Sequence, residues 1–98
     1  MIIEYDNSSL TNEIILLFFY ASYSKACNAN LEILDYLNDK LNISIYKINV
    51  TKYPFLKDKY QVKFIPAYVL LKNNKFIGKK EGTQNRYFLY SWIKQYLR

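Results

Sequence analysis

Ser24 and Cys27 are the two side chains whose types and spacing most directly suggest covalent chemistry. They stand three apart, with Lys25 and Ala26 between them, just after the apolar run Ile14–Tyr20. A cysteine acts as nucleophile or metal ligand through its thiolate. Cys27 is the one cysteine of the 98 residues, and there is no histidine. Hence no Ser-His or Cys-His pair can form to activate a nucleophile. No Cys/His zinc site is available either, so no metal is expected, nor any other cofactor. An intrachain disulfide is impossible. Two readings of Cys27 stay open, a working thiol or a small buried hydrophobe. Ser24 reads better as a helix N-cap than as a nucleophile, because its hydroxyl can accept from the backbone N–H near Cys27.

The elements that must position this pair follow from the hydrophobic pattern. Ile2-Ile3-Glu4-Tyr5 is a short strand candidate, and polar Asp6–Asn12 could hold at most one or two helical turns. Ile14–Tyr20 is apolar on both faces, as in a central strand covered on both sides. A helix from Ser24 to about Leu41 carries two stripes, Cys27/Leu31/Leu34 and Ile33/Leu37/Leu41. Ile43, Ile45 and Ile48 mark the next strand, ending near Val50. Thr51–Lys59 is a short helix or turn with Pro54 in its first turn. Ala67–Leu71 and Phe76-Ile77 form a hairpin about Asn73-Asn74, whose asparagines tolerate positive φ. Thr83 should cap a last helix carrying Leu89, Trp92, Ile93, Tyr96 and Leu97. The order β, short α or loop, β, α, β, α, β, β, α gives an α/β fold, a central mixed sheet flanked by helices on both faces.

The remaining composition narrows the function classes. Hydrophobic residues are 51% of the chain and aromatics 18%, so this is no disordered tail. Residues 1–98 read as a single domain. The longest apolar run, Ile14–Ala21, is far short of the roughly 20 residues of a spanning helix. With no signal-peptide pattern, a cytoplasmic protein without membrane contact is expected. The net charge of +6 raises nucleic acid as a partner. Against that, twelve of the 14 cations are Lys and only Arg86 and Arg98 are Arg. Arg is the bidentate reader of bases, so a nucleic-acid reading ranks last.

Three segments converge on the Ser24–Cys27 pair: Phe19-Tyr20-Ala21-Ser22-Tyr23-Ser24-Lys25-Ala26-Cys27, Ile65-Pro66-Ala67, and Glu81-Gly82-Thr83. Together, and in register with the element order, they resemble the thioredoxin family over residues 2–97, with its thioredoxin-like fold. The resemblance places Ser24 at the nucleophilic cysteine and Cys27 at the buried resolving cysteine. Tyr23 falls at the active-site tryptophan, and Lys25 and Ala26 fill the intervening positions. Pro66, after Ile65, falls at the cis-proline whose neighbouring backbone pairs with substrate. Gly82 falls at the glycine that admits the substrate backbone. It implies disulfide-containing or extended-peptide protein clients and a thioredoxin-reductase-type partner.

The departures from the family pattern decide how much function survives. Thiol–disulfide exchange needs a thiolate attacking a disulfide, and Ser24 supplies a hydroxyl. The chain should therefore be impaired in dithiol exchange. Ser24 is either a natural Ser-x-x-Cys divergence or an engineered Cys→Ser replacement, and the sequence leaves both open. The family's buried acid is replaced by Phe18. Its strand lysine is kept as Lys47, expected with its head in solvent. Phe64 brings bulk to a loop that faces substrate. The alternative function is a redox-silent peptide-binding module using the groove about Tyr23, Pro66 and Gly82.

Overall fold

The computed structural model describes residues 1–10 and 13–97. Among them, five strands form one sheet in the order β1-β3-β2-β4-β5. The strands are β1 (Ile2–Glu4), β2 (Ile14–Tyr20), β3 (Ser44–Asn49), β4 (Ala67–Lys72) and β5 (Lys75–Glu81). β1 and β2 both run parallel to β3, while β4 is antiparallel to β2 and to β5. The sheet is thus mixed. Its centre is β2, buried along nearly its whole length, as an uninterrupted apolar heptapeptide requires.

Successive β2 side chains point to opposite faces, and each face has its own helices. Phe18, Leu16 and Ile14 meet α2 (Leu31–Lys40) and α4 (Arg86–Lys94) through Leu34, Leu37, Leu89 and Ile93. Ile15, Leu17 and Phe19 meet Tyr53, Leu56 and Val62 about α3 (Pro54–Lys59). Pro54 occupies the first turn of α3, where a missing N–H leaves no bond unmade. Asn73 and Asn74 turn the β4–β5 hairpin with φ of 52° and 66°. Beyond it the pairing register shifts between Leu70 and Leu71, leaving Ile77 as an extra residue in β5.

Three local expectations are corrected. The helix expected from Ser24 to Leu41 is two, α1 (Lys25–Ala29) and α2, broken at Asn30. The asparagines of Asn28-Ala29-Asn30 are weak helix formers, and the Asn30 side chain has tertiary partners of its own. The last helix is capped by Asn85, whose Oδ1 accepts from the N–H groups of Tyr87 and Phe88, and not by Thr83. Tyr96 and Leu97 follow the end of that helix and are only partly buried. Asp6–Leu10 form no helical turn; Thr11 and Asn12, in the same expected element, lie outside the described residues, as does Arg98. Among the described residues no helix is long and apolar enough to cross a membrane.

Candidate functional site

The chain leaves β2 at Tyr20 and turns sharply, the Ser24 N–H donating to the Ala21 carbonyl at 3.1 Å. Ser24 then caps α1 as its type suggests, Oγ accepting from the Cys27 N–H at 3.2 Å. Tyr23 projects outward, 78% exposed, and Lys25 and Ala26 are also exposed. Cys27 is 1% exposed and faces the interior. The pair at positions 24 and 27 is therefore asymmetric: a half-exposed hydroxyl engaged in a cap and a covered thiol.

The second segment approaches through sheet register. Phe19 of β2 pairs with Ala67 of β4, which sets Pro66 beside the end of β2. The Ile65–Pro66 peptide bond is cis. Pro66 is buried, Ile65 half-buried and Phe64 68% exposed. The third segment is joined to the second, since Ala67 pairs with Glu81 and the Gly82 N–H donates to the Pro66 carbonyl at 2.7 Å. Gly82 has φ +85°, a conformation that L side chains rarely adopt, and a Cβ placed there would meet nothing within 4 Å. Backbone strain, not crowding, favours glycine.

Two side chains that sequence reasoning missed lock these segments together. Asn30 is 2% exposed, and its Oδ1 accepts from the Tyr68 hydroxyl at 2.8 Å and from the Gln84 N–H at 3.4 Å. One carbonyl oxygen thus links the end of α1 to β4, two residues past Pro66, and to the loop two residues past Gly82. Burial holds the Tyr68 phenol well above the ordinary tyrosine range, with nearness to Cys27 adding to the shift. The other side chain is Glu81. Its Oε1 accepts from the backbone N–H groups of Lys63 and Phe64 at 2.7 and 2.8 Å, and Oε2 lies 3.1 Å from Lys79 Nζ. Desolvation alone would raise the Glu81 pKa; these donors outweigh it and hold it below the ordinary value. Asparagine interrupting a helical stripe was the available signal for Asn30. For Glu81 the strand-end position gave none.

Beneath the site Phe18 is fully buried, with Tyr68 5.2 Å and Tyr20 6.1 Å away between ring centroids. Among the described residues no carboxylate side chain is buried. Lys47 is partly exposed, as expected of a strand lysine, but its head is not free. Its ammonium lies 5.1 Å over the Tyr20 ring and 3.8 Å from Glu4. The Tyr20 hydroxyl donates to Glu4 at 2.6 Å, and burial followed by this bond pushes its pKa up to about 12. Two concavities lie away from Ser24 and Cys27. One, of about 670 Å³, is at the far end of β2 beside Met1 and Ile43, and one of about 500 Å³ lies between Tyr60 and Phe76. What the site offers is an open surface framed by three joined segments, with one thiol set beneath it.

Comparison with known proteins agrees with this fold. The family model described as Thioredoxin matches residues 3–95. The chain is 34% identical over 71 residues to "Thioredoxin Y2, chloroplastic" of Arabidopsis thaliana, covering 70% of this chain and 42% of that protein. It is 30% identical over 91 residues to "Thioredoxin 2" of Plasmodium falciparum, covering 91% and 58%. The chain thus spans about half the length of these curated relatives. Among solved structures, the reduced Schistosoma mansoni thioredoxin pre-protein superposes with a TM-score of 0.87 over 98% of both chains, at 19% identity, a likeness of fold.

Proposed function

This chain belongs to the thioredoxin family, and from that premise we propose that it is a thiol–disulfide oxidoreductase of that family whose nucleophile is replaced by Ser24, with the substrate groove kept and dithiol exchange impaired. The groove is the surface about Tyr23, Ile65, Pro66 and Gly82. Its clients are proteins that carry disulfides or present extended peptide segments. A thioredoxin-reductase-type partner belongs to any version of the chain with both thiols. A cytoplasmic setting is part of the same proposal.

The observation that carries the reading is the state of positions 24 and 27. Exchange begins when a thiolate attacks one sulfur of a disulfide, forming a mixed disulfide and releasing the other sulfur as thiolate. A second thiolate then attacks the mixed disulfide, which frees the reduced client and leaves an oxidised pair. The Ser24 hydroxyl is scarcely ionised at neutral pH, has no histidine to activate it, and is engaged as a helix cap. Cys27 could take the second role, but its sulfur is covered. Natural or engineered, the serine leaves the same chemistry.

A second reading, a redox-silent peptide-binding module, is favoured by the bonds through Asn30, Glu81 and Gly82. They hold the groove together without reference to a thiol pair. Reduction of insulin disulfides by the chain and by its Ser24→Cys variant separates the two. The oxidoreductase reading expects background rates for the chain and turnover for the variant. An inactive variant with an unchanged circular-dichroism spectrum leaves the binding module. Turnover by the chain itself would overturn the requirement for a thiolate at position 24.

A further inference from the structure

We propose that the groove selects extended segments in which an apolar residue is flanked by acidic ones. This rests on the groove reading above and specifies its client. The apolar part follows from two aromatic rings that the fold leaves uncovered on neighbouring segments. Tyr23 is 78% and Phe64 68% exposed. An exposed aromatic offers a large, rigid contact surface to a peptide side chain. Tyr23 lies three residues after the end of β2 and Phe64 three before the start of β4, and those two strand ends pair through Phe19 and Ala67.

The acidic part follows from the charges around the rings. Lys25 sits two residues after Tyr23, and Lys63 immediately precedes Phe64; both are exposed. Among the described residues neither lysine joins an ion pair. Residues 20–30 and 61–68 contain no Asp or Glu. The carboxylate nearest in sequence to Gly82 is Glu81, which is already held by the N–H groups of Lys63 and Phe64 and by Lys79. Its negative charge is matched locally, so it does not cancel the two lysines. The groove's rim is positive with no unmatched anion on these segments. Such a rim attracts an acidic segment, repels a basic one, and acts chiefly on encounter rate and register. Glu81 holds the backbone N–H groups of Lys63 and Phe64, and both side chains stay at the surface.

Three fluorescent peptides with a common Val-Leu-Val centre test the proposal. Their flanks are paired glutamates, paired glutamines or paired lysines on each side. Each is titrated into the isotopically labelled chain at low salt and followed by amide chemical shifts. The expected order of affinity is glutamate, glutamine, lysine, with about tenfold between the extremes at low ionic strength, where screening is weak. Shifts should centre on residues 23–27, 63–66 and 82, and the spread should shrink at roughly 0.5 M salt. The Lys25→Glu/Lys63→Glu variant should reverse the order. Equal binding of all three peptides, or an order indifferent to salt and to the variant, would overturn the acidic preference and leave the groove intact. If no peptide binds, or shifts fall elsewhere, the groove reading fails and this proposal with it.

Discussion

The segment Ser22–Cys27 and the pair of segments Lys63–Pro66 and Glu81–Gly82 meet at one site but are built to different standards. The first is tied by local bonds: the Ser24 N–H to Ala21, the Cys27 N–H to the Ser24 hydroxyl, and donors of Asn28 and Asn30 to the carbonyls of Ser22, Ser24 and Cys27, with Tyr23 and Lys25 left outward. The second is fastened by two N–H donors on one carboxylate, an ammonium on the same carboxylate, and a backbone bond from Gly82 to Pro66. The difference teaches that, under the proposed function, recognition and chemistry are separable within this site. The backbone that would pair with a client is held by strand ends and by Glu81, none of which depends on what residue stands at position 24. On the proposed function, a single atom change there removes a reaction and leaves a surface.

The largest effect that could sharpen this contrast is the gain of insulin-disulfide turnover in Ser24→Cys, while peptide binding changes little. If binding falls together with the new activity, the two halves are not independent. Next comes Phe18, which supports both halves from below. Phe18→Ala should cost about 3–5 kcal/mol in urea unfolding through the cavity left between Tyr20 and Tyr68; a loss under about 1 kcal/mol would show that the floor is poorly packed. Asn30→Leu should cost about 1–3 kcal/mol, because the buried Tyr68 phenol loses its acceptor. In an Asn30→Leu background Tyr68→Phe should then be nearly neutral, and a double-mutant cycle reads that coupling.

Glu81→Gln should cost about 1 kcal/mol near pH 7, since two donors and Lys79 lose a charged partner at a partly exposed position. The same variant carries a pH signature. Glu81 is held below the ordinary glutamate value of 4.5, so its contribution is present above that value and declines as pH falls through the lowered folded pKa. The stability difference between the chain and Glu81→Gln should therefore close below about pH 4.5; a difference constant with pH would place the tie elsewhere. Smallest is Ser24→Ala, which removes the α1 cap at about 0.5–1 kcal/mol. An effect larger than that of Glu81→Gln would invert the contrast between the two regions.

Much of this architecture is visible in residue periodicity. The unbroken apolar Ile14–Tyr20 announces a central strand, the leucine and isoleucine stripes announce α2, and paired asparagines announce the hairpin. What escapes notice depends on tertiary partners. An asparagine within the apolar stripe marks Asn30 as unusual, but its role as a helix break is decided by Tyr68, brought beside it from 38 positions away. Asn85 and Thr83 are both competent caps, and only the path of the chain after Gly82 decides between them. Lys47 is held at the surface by Tyr20 and Glu4, which lie on two different strands. For the site, the Ser24–Cys27 cap follows from residue type and spacing, whereas the Glu81 latch requires knowing that β5 ends against the loop before β4.

The two outer strands bear on how copies of this chain tolerate one another. A sheet's rim offers unpaired amides and carbonyls to any neighbouring strand, which is the usual route to aggregation. Here one rim is β1, only three residues long and so a poor template. The other is β5, interrupted by its extra residue at Ile77 and studded with Lys75, Lys79 and Lys80. Brevity guards one side and charge with a kink guards the other. Concentrated solutions of the chain should therefore resist fibre formation, and replacing the three lysines of β5 by threonine should be the quickest way to lose that protection.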